Sequence, residues 1–463
     1  MHRLARNPLR CHRESRVCPP AGRRLRPGLT LIELLIAVTL TLVIVGVMVR
    51  AFKSTSEQIG IGRARMDMHN QVRMATETLR NDLQNATCAP RPRGVDDERS
   101  GYFQYVEGPE QDLGHTDPLS DSFIGDHDDI LALTVRSEGR PFRGRYNGGY
   151  VESYLAEVVW FVVHEGPDNY NGNYRLYRRV LLIRPDLAPV SASVAGHFEA
   201  NDISARLDPV SGNMTPNSLE DLADRRNRYS HAFLPGTFPH EIQHGFGAQA
   251  NWLSQRVLGV DGGDGVFLAD RLGEDLILDH CVGFDIKAFS PDAPVFNEVA
   301  AGVDPIGQTI EFSDPAFANL VSTYPPATSP AAYPRAGGFV DLGVNQPPRL
   351  FTGSGFDAWF IPASWPNELP PANRPYTWEA NTWCSWWAGY EKDGIDQDND
   401  GLIDQGANGV DDDAVNGVDD TGERETRPPY AHPLRAIQVS VRMIEKNTNQ
   451  VLQKTVKESF VPN

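Results

Sequence analysis

Three groups of residues in this 463-residue chain have the types and spacing to do chemistry. The first is a lone carboxylate, Glu33, inside residues 29–49, where every other residue is apolar, glycine or threonine. A charge held mid-bilayer on a helix costs roughly 2.5–3.5 kcal/mol, and less near a helix end. Such a residue calls for a partner.

The second group is the run D-x-D-x-D-G-x-I-D at 396–404. Asp396, Asp398 and Asp400 fall at positions 1, 3 and 5 of a calcium loop, and Gly401 supplies the turn at 6. The Leu402 carbonyl then serves at 7 and Asp404 at 9, directly or through water. Ile403 is expected to anchor the loop to the core. Position 12, where an EF-hand has a bidentate glutamate, is Ala407, so the reading is a shorter structural calcium loop. A plain solvated acidic loop is the other reading, but a bare charge run does not need glycine and isoleucine at these offsets.

The third group is H-E-x-x-H in "PHEIQHGFG", with His240, Glu241 and His244. On a helix the two histidines would share a face to bind zinc, and Glu241 would polarise a water. Gly245 and Gly247 undermine that helix at once, and residue 250, where a third histidine would extend the motif, is Ala250. A membrane-tethered zinc metallopeptidase is the least favoured reading.

The elements that would position these groups can be read from pattern. Residues 29–49 at about 1.5 Å each span roughly 31 Å, the thickness of a bilayer core. Eight arginines and one acid, Glu14, precede them, and Arg50 follows. The basic side is expected to stay in the cytoplasm. No small-residue cleavage site of the secretory kind follows the apolar run. If the chain is cut after Gly28, a new α-amino group appears four residues before Glu33, and that ammonium, on this chain or a neighbour, is its natural counter-ion.

Beyond Arg50 the steps Ile61, Ala64, Met68, Val72, Ala75, Leu79, Leu83 and Ala86 form one helical stripe. Pro90 and Pro92 stop it, and Gly60 and Gly62 are weak points where it can bend. Strand patterns follow in "DDILALTVRS", then in "YLAEVVWFVVHEG" and "NYRLYRRVLLIRP" as an antiparallel pair, then in "LILDHCVGFDIKAF" as one strand. The terminal "LRAIQVSVRMIEK" places Ile437, Val439, Val441 and Met443 on one face, and "KNTNQ" turns it into a last strand. A helix followed by separated antiparallel strands gives an α+β fold.

The formal charge of −18 hides an asymmetry, because residues 1–28 carry a net positive charge and the rest is more acidic than the total suggests. Such a body repels phosphates, so no nucleic acid is expected as a partner. Cys88, Cys281 and Cys384 allow one disulfide at most outside the basic N-terminus. The aromatic cluster "WCSWWAGYEKDG" at 383–394 reads as core.

The stretch "GLTLIELLIAVTL" resembles the cleavage and methylation motif of type IV pilins and type II secretion pseudopilins: glycine, an apolar residue, then [S/T]-L-[I/V]-E-[L/V]. The resemblance implies that a prepilin peptidase cuts between Gly28 and Leu29 and methylates the new N-terminus at Leu29. It also implies that Glu33 guides helix packing in a filament. With "MATETLRNDLQNA" at the helix end, L-x-R in "NYRLYRRVLLIRP" and the closing "PLRAIQVSVRM", the chain is most similar to the J-type minor pseudopilin.

The expected organisation is a basic leader peptide at 1–28, a transmembrane helix at 29–49 and its amphipathic continuation at 50–87. A periplasmic β-rich head follows at 88–463, pseudopilin-like, with large loop insertions at about 187–265 and 291–380. The head carries the acidic calcium-loop repeat at 391–420 and a C-terminal β-hairpin at 434–461. The expected function is structural and not enzymatic: a subunit of the type II secretion pseudopilus, in its tip complex, supporting protein export across the outer membrane. A minor pilin of a type IV pilus or DNA-uptake system is the alternative. Implied partners are other minor and major pseudopilins, the prepilin peptidase, the inner-membrane secretion assembly platform and the lipid bilayer. The implied location is the bacterial inner membrane, single-pass, N-terminus cytoplasmic before cleavage and head periplasmic.

Overall fold

The computed structural model describes residues 30–90, 100–107, 125–127, 129–164, 174–229, 276–295, 335–342, 382–397, 400–420, 422–426, 428, 430, 433–445 and 450–460. The chain divides into two compact units, Met1–Arg63 and Ala64–Asn463. One helix, α1 (Leu31–Gln84), contributes to both. It can run for 54 residues because no proline interrupts the sequence from 28 to 89. It continues through Gly60 and Gly62, where open space surrounds the backbone.

In the first unit α1 exposes apolar side chains on every side from Leu31 to Val49, a stretch long and apolar enough to cross a membrane. Thr39 and Thr41 hide their hydroxyls by donating to the carbonyls of Ile36 and Ala37, at 2.9 and 2.7 Å. That removes two polar groups from a surface suited to lipid.

In the second unit the pattern changes to a stripe. Met68, Val72, Ala75, Leu79 and Leu83 are buried, at the three- and four-residue steps of a single face. Met68, Val72, Leu79 and Leu83 share a core with two antiparallel sheets.

Strands β1 (Phe103–Val106), β2 (Ile130–Arg136), β5 (Leu155–His164), β6 (Tyr174–Leu182), β9 (Leu276–Asp279) and β12 (Thr382–Cys384) form the larger sheet in the order β12-β1-β2-β5-β6-β9, while β3 (Phe142–Tyr146) and β4 (Gly149–Ser153) make a separate two-stranded pair. The smaller sheet has the order β11-β10-β13-β14, from β10 (Cys281–Val295), β11 (Arg335–Val340), β13 (Ala436–Glu445) and β14 (Gln450–Ser459). β5 and β6 pair antiparallel from Ala156–Leu182 to His164–Tyr174, and β13 and β14 from Ala436–Ser459 to Glu445–Gln450.

The larger sheet is covered on both faces, which explains why "VVWFV" lacks polar alternation. Val158 and Trp160 pack with α1 and the smaller sheet, whereas Val159 and Phe161 face a second cluster. That second layer comes from the stretch read as an irregular insertion. Residues 187–229 form α2 (Val194–Ala200), the pair β7 (Ala205–Leu207) and β8 (Met214–Pro216), and two short 3-10 turns. Phe198, Ala205, Met214, Leu222 and Tyr229 from it are buried against the sheet. The stretch 291–380 likewise holds the end of β10 and all of β11.

The segment expected as one strand, "LILDHCVGFDIKAF", is two. His280 takes a left-handed φ of 56° between β9 and β10, which belong to different sheets. A left-handed residue breaks the pleat and redirects the chain. Cys88, Cys281 and Cys384 are all buried, and Cys281 and Cys384 are free thiols.

Candidate functional site

The N-terminus of α1 is built by two of its own side chains. The Thr30 hydroxyl accepts the Glu33 N–H at 3.3 Å, while the Glu33 carboxylate accepts the Thr30 N–H and hydroxyl, both at 2.9 Å. This is a capping box, in which the first orphan N–H groups of a helix are satisfied reciprocally. Glu33 therefore has local donors in the single chain, supplied by the T-x-x-E spacing, besides the ammonium expected as its counter-ion. Gly28 and Leu29 lie outside the described residues.

The acidic repeat folds into two loops of one design, fifteen residues apart. In the first, the carboxylate of Asp404 accepts the Gly394 N–H at 3.1 Å; in the second, Asp419 accepts that of Gly409 at 2.8 Å. Asp404 and Asp419 both take a left-handed φ, 54° and 55°. Asp393, Asp400 and Asn408 each accept the N–H two residues on, at 3.1, 2.8 and 2.7 Å. The residue in the middle of each of these three Asx turns is a glycine with positive φ, Gly394, Gly401 and Gly409.

Two glutamates close the loops from outside. Glu425 accepts the N–H groups of Gln397 and Gln405, both at 3.2 Å. Glu423 does the same for Asp412 and Asp420, each exactly one repeat further on. Both glutamates are buried. Glu391 fastens this segment to the body, accepting from the N–H of Glu425 at 3.0 Å and the Thr426 hydroxyl at 2.9 Å. Beside it Trp383, Trp386 and Tyr390 are buried as core.

Within the first loop Asp396 accepts the Gly401 N–H at 2.9 Å through one oxygen, and its other oxygen is buried without a hydrogen-bond partner. Leu402 follows Gly401, Asp400 is exposed, and Asp398 lies outside the described residues. In the second loop Asp411, Asp413 and Glu423 bring ligand oxygens within 4.8 Å of one another. Ile403 does not anchor the loop: it is 54 % exposed. The tight turns and the buried glutamates hold the loops in place of an apolar plug.

Two buried carboxylates organise the body. Asp82 on α1 accepts the Trp160 ring N–H at 2.8 Å and two guanidinium N–H groups of Arg178 at 2.7 Å. Glu157 on β5 accepts from the Tyr102 hydroxyl at 2.7 Å, the Ser204 hydroxyl at 2.5 Å and the Tyr229 N–H at 2.8 Å. Burial pushes the Glu157 carboxyl above its ordinary range, against the pull of those donors and of Arg228. A further group, Glu107, Asp126 and Asp129, also converges within 4.8 Å, all three buried; no spacing pattern in the sequence points to it.

His240, Glu241 and His244 lie outside the described residues. No family model, curated protein or solved structure matches the chain.

Proposed function

We propose that this chain is a minor pseudopilin of the J type, a structural subunit at the tip of a type II secretion pseudopilus. The observation that carries the reading is α1 itself. One helix opens on a Thr30–Glu33 capping box, presents lipid-compatible surface, and supplies from Met68 to Leu83 the buried stripe of an antiparallel head. The proposed maturation step is cleavage after Gly28 and methylation of Leu29. Glu33 would then exchange its hydroxyl donor for the ammonium of a neighbouring subunit. A carboxylate already gathered at the first turn is positioned to accept that charge.

The head's two tied motifs support the same reading. Asp82 of "RNDL" and Arg178 of "LYR" lie in two of the stretches that carry the likeness to the J type, and they bind each other. We propose calcium at Asp396, Asp398, Asp400, Leu402 and Asp404, as a structural ion. The buried unbonded oxygen of Asp396 and the turn at Gly401 fit a cation that takes carboxylate and carbonyl oxygens.

The test is recovery of the chain from bacterial membranes with its N-terminus read by mass spectrometry. The expected species begins at a methylated Leu29 and co-purifies with other pseudopilins. A chain beginning upstream of Leu29, or beyond the apolar segment, overturns the reading.

A further inference from the structure

The acidic loops expose what a loop ordinarily hides. Ile395, Leu402, Ile403, Val410, Val415 and Val418 are each between 43 and 57 % exposed. They make up six of the eleven large hydrophobic side chains exposed outside α1 among the described residues, concentrated in 24 positions. Scattered exposed aliphatics need no explanation, but a concentrated set does.

The repeat puts them in register. The Gly394–Asp404 bond closes the first loop and brings the adjoining Ile395 and Ile403 to the same end; the Gly409–Asp419 bond does the same for Val410 and Val418. The aliphatics are interleaved with exposed carboxylates, Asp400, Asp411, Asp412, Asp413 and Asp419. Lys392 is the only basic residue between 391 and 420, against ten aspartates and Glu391.

We propose that this face is a docking surface for a polypeptide segment in which lysine or arginine alternates with aliphatic side chains. Charge complementarity selects the partner's sign, since an acidic segment would be repelled and a neutral one would leave the field unused. The exposed valines and isoleucines select its apolar content, because lysine alone would leave them in water. The proposal concerns side chains that point outward and is independent of the assembly to which the protein belongs.

The test uses the full-length protein in detergent. Its probe is a short fluorescent peptide alternating lysine and leucine, compared with a lysine–serine and a glutamate–leucine counterpart. The lysine–leucine peptide should bind about tenfold or more tighter than the lysine–serine one, a difference of about 1.4 kcal/mol. The glutamate–leucine peptide should not bind. In V410S/V415S/V418S, which removes half of the exposed aliphatics, the lysine–leucine advantage should shrink while the melting temperature holds, since none of the three side chains is buried.

Equal affinity of the two basic peptides would reduce the face to a bare charge field and overturn the proposal. So would an advantage that is undiminished in the triple variant. Concentration-dependent self-association lost in that variant would assign the face to a second copy of the chain, and would equally overturn it.

Discussion

Asp82 and Arg178 meet through two parallel hydrogen bonds of 2.7 Å, with the carboxylate fully buried and the guanidinium 13 % exposed. This bidentate geometry, with the Trp160 ring N–H as a third donor, joins the last turn of α1 to β5 and β6. Removing one partner strands a buried charge. Asp82→Ala or Arg178→Met should each cost about 3–5 kcal/mol, read from denaturant unfolding. The double variant should lose less than the sum of the two. Strict additivity would mean the pair does not act as a unit.

Processing should depend on Gly28 and assembly on Glu33. Gly28→Ala should accumulate full-length precursor, seen as a mass shift on the membrane-recovered chain. Glu33→Ala should be cleaved normally yet fail to pull down its partner pseudopilins. Thr30→Ala removes only the hydroxyl half of the cap and should loosen the first turn by about 0.5–2 kcal/mol while leaving cleavage intact. Hydrogen exchange at the amides of 31–34 would read that loosening.

Calcium should raise the melting temperature of the full-length protein, and chelation should lower it to the apo value. Asp398→Ala with Asp400→Ala should abolish the shift, whereas Asp285→Ala, on β10, should retain it. A shift unchanged by the double variant would remove the ion from residues 396–404.

Glu157 sets a pH dependence whose sign follows from its raised pKa. The folded state holds the proton more tightly than the unfolded chain, so its stabilising contribution is complete in acid and is lost as pH rises through the folded pKa. Relative to Glu157→Gln, which does not titrate, the wild type should lose stability as pH rises above the ordinary glutamate range. Thermal unfolding of both proteins across that range checks the slope. An unchanged difference between them would show that the Glu157 proton is not linked to folding.

Legibility in the sequence followed the strength of local pattern. The stripe through Met68, Val72, Ala75 and Leu79 is buried as its spacing requires, and the alternation Ile437, Val439, Val441, Met443 faces the core. The β5–β6 pair was visible as two β-branched runs with a short connection. What escaped was structure held by tertiary contacts. Residues 187–229 show little periodicity, yet single anchors such as Phe198, Met214 and Tyr229 suffice to pack them on a sheet that is already formed. The reversal at His280 had no glycine or proline to announce it. The capping role of Glu33 was open to view in T-x-x-E but was masked by the demand for a counter-ion. In the acidic repeat the glycine turns were readable, whereas Glu423 and Glu425, outside the repeat, could be matched to their loops only in three dimensions.

Those two glutamates, separated by one residue, make the acidic region modular. Each clasps one fifteen-residue unit by the same pair of amides, so a unit and its clasp form an inheritable cassette. Lengthening the array would require a further acid on the clasping segment for every unit added, and deleting a unit would leave its glutamate buried without amides to bind. Copy number is thereby tied to a few residues downstream, and a tandem duplication that spared them would yield a floppy, unclasped turn.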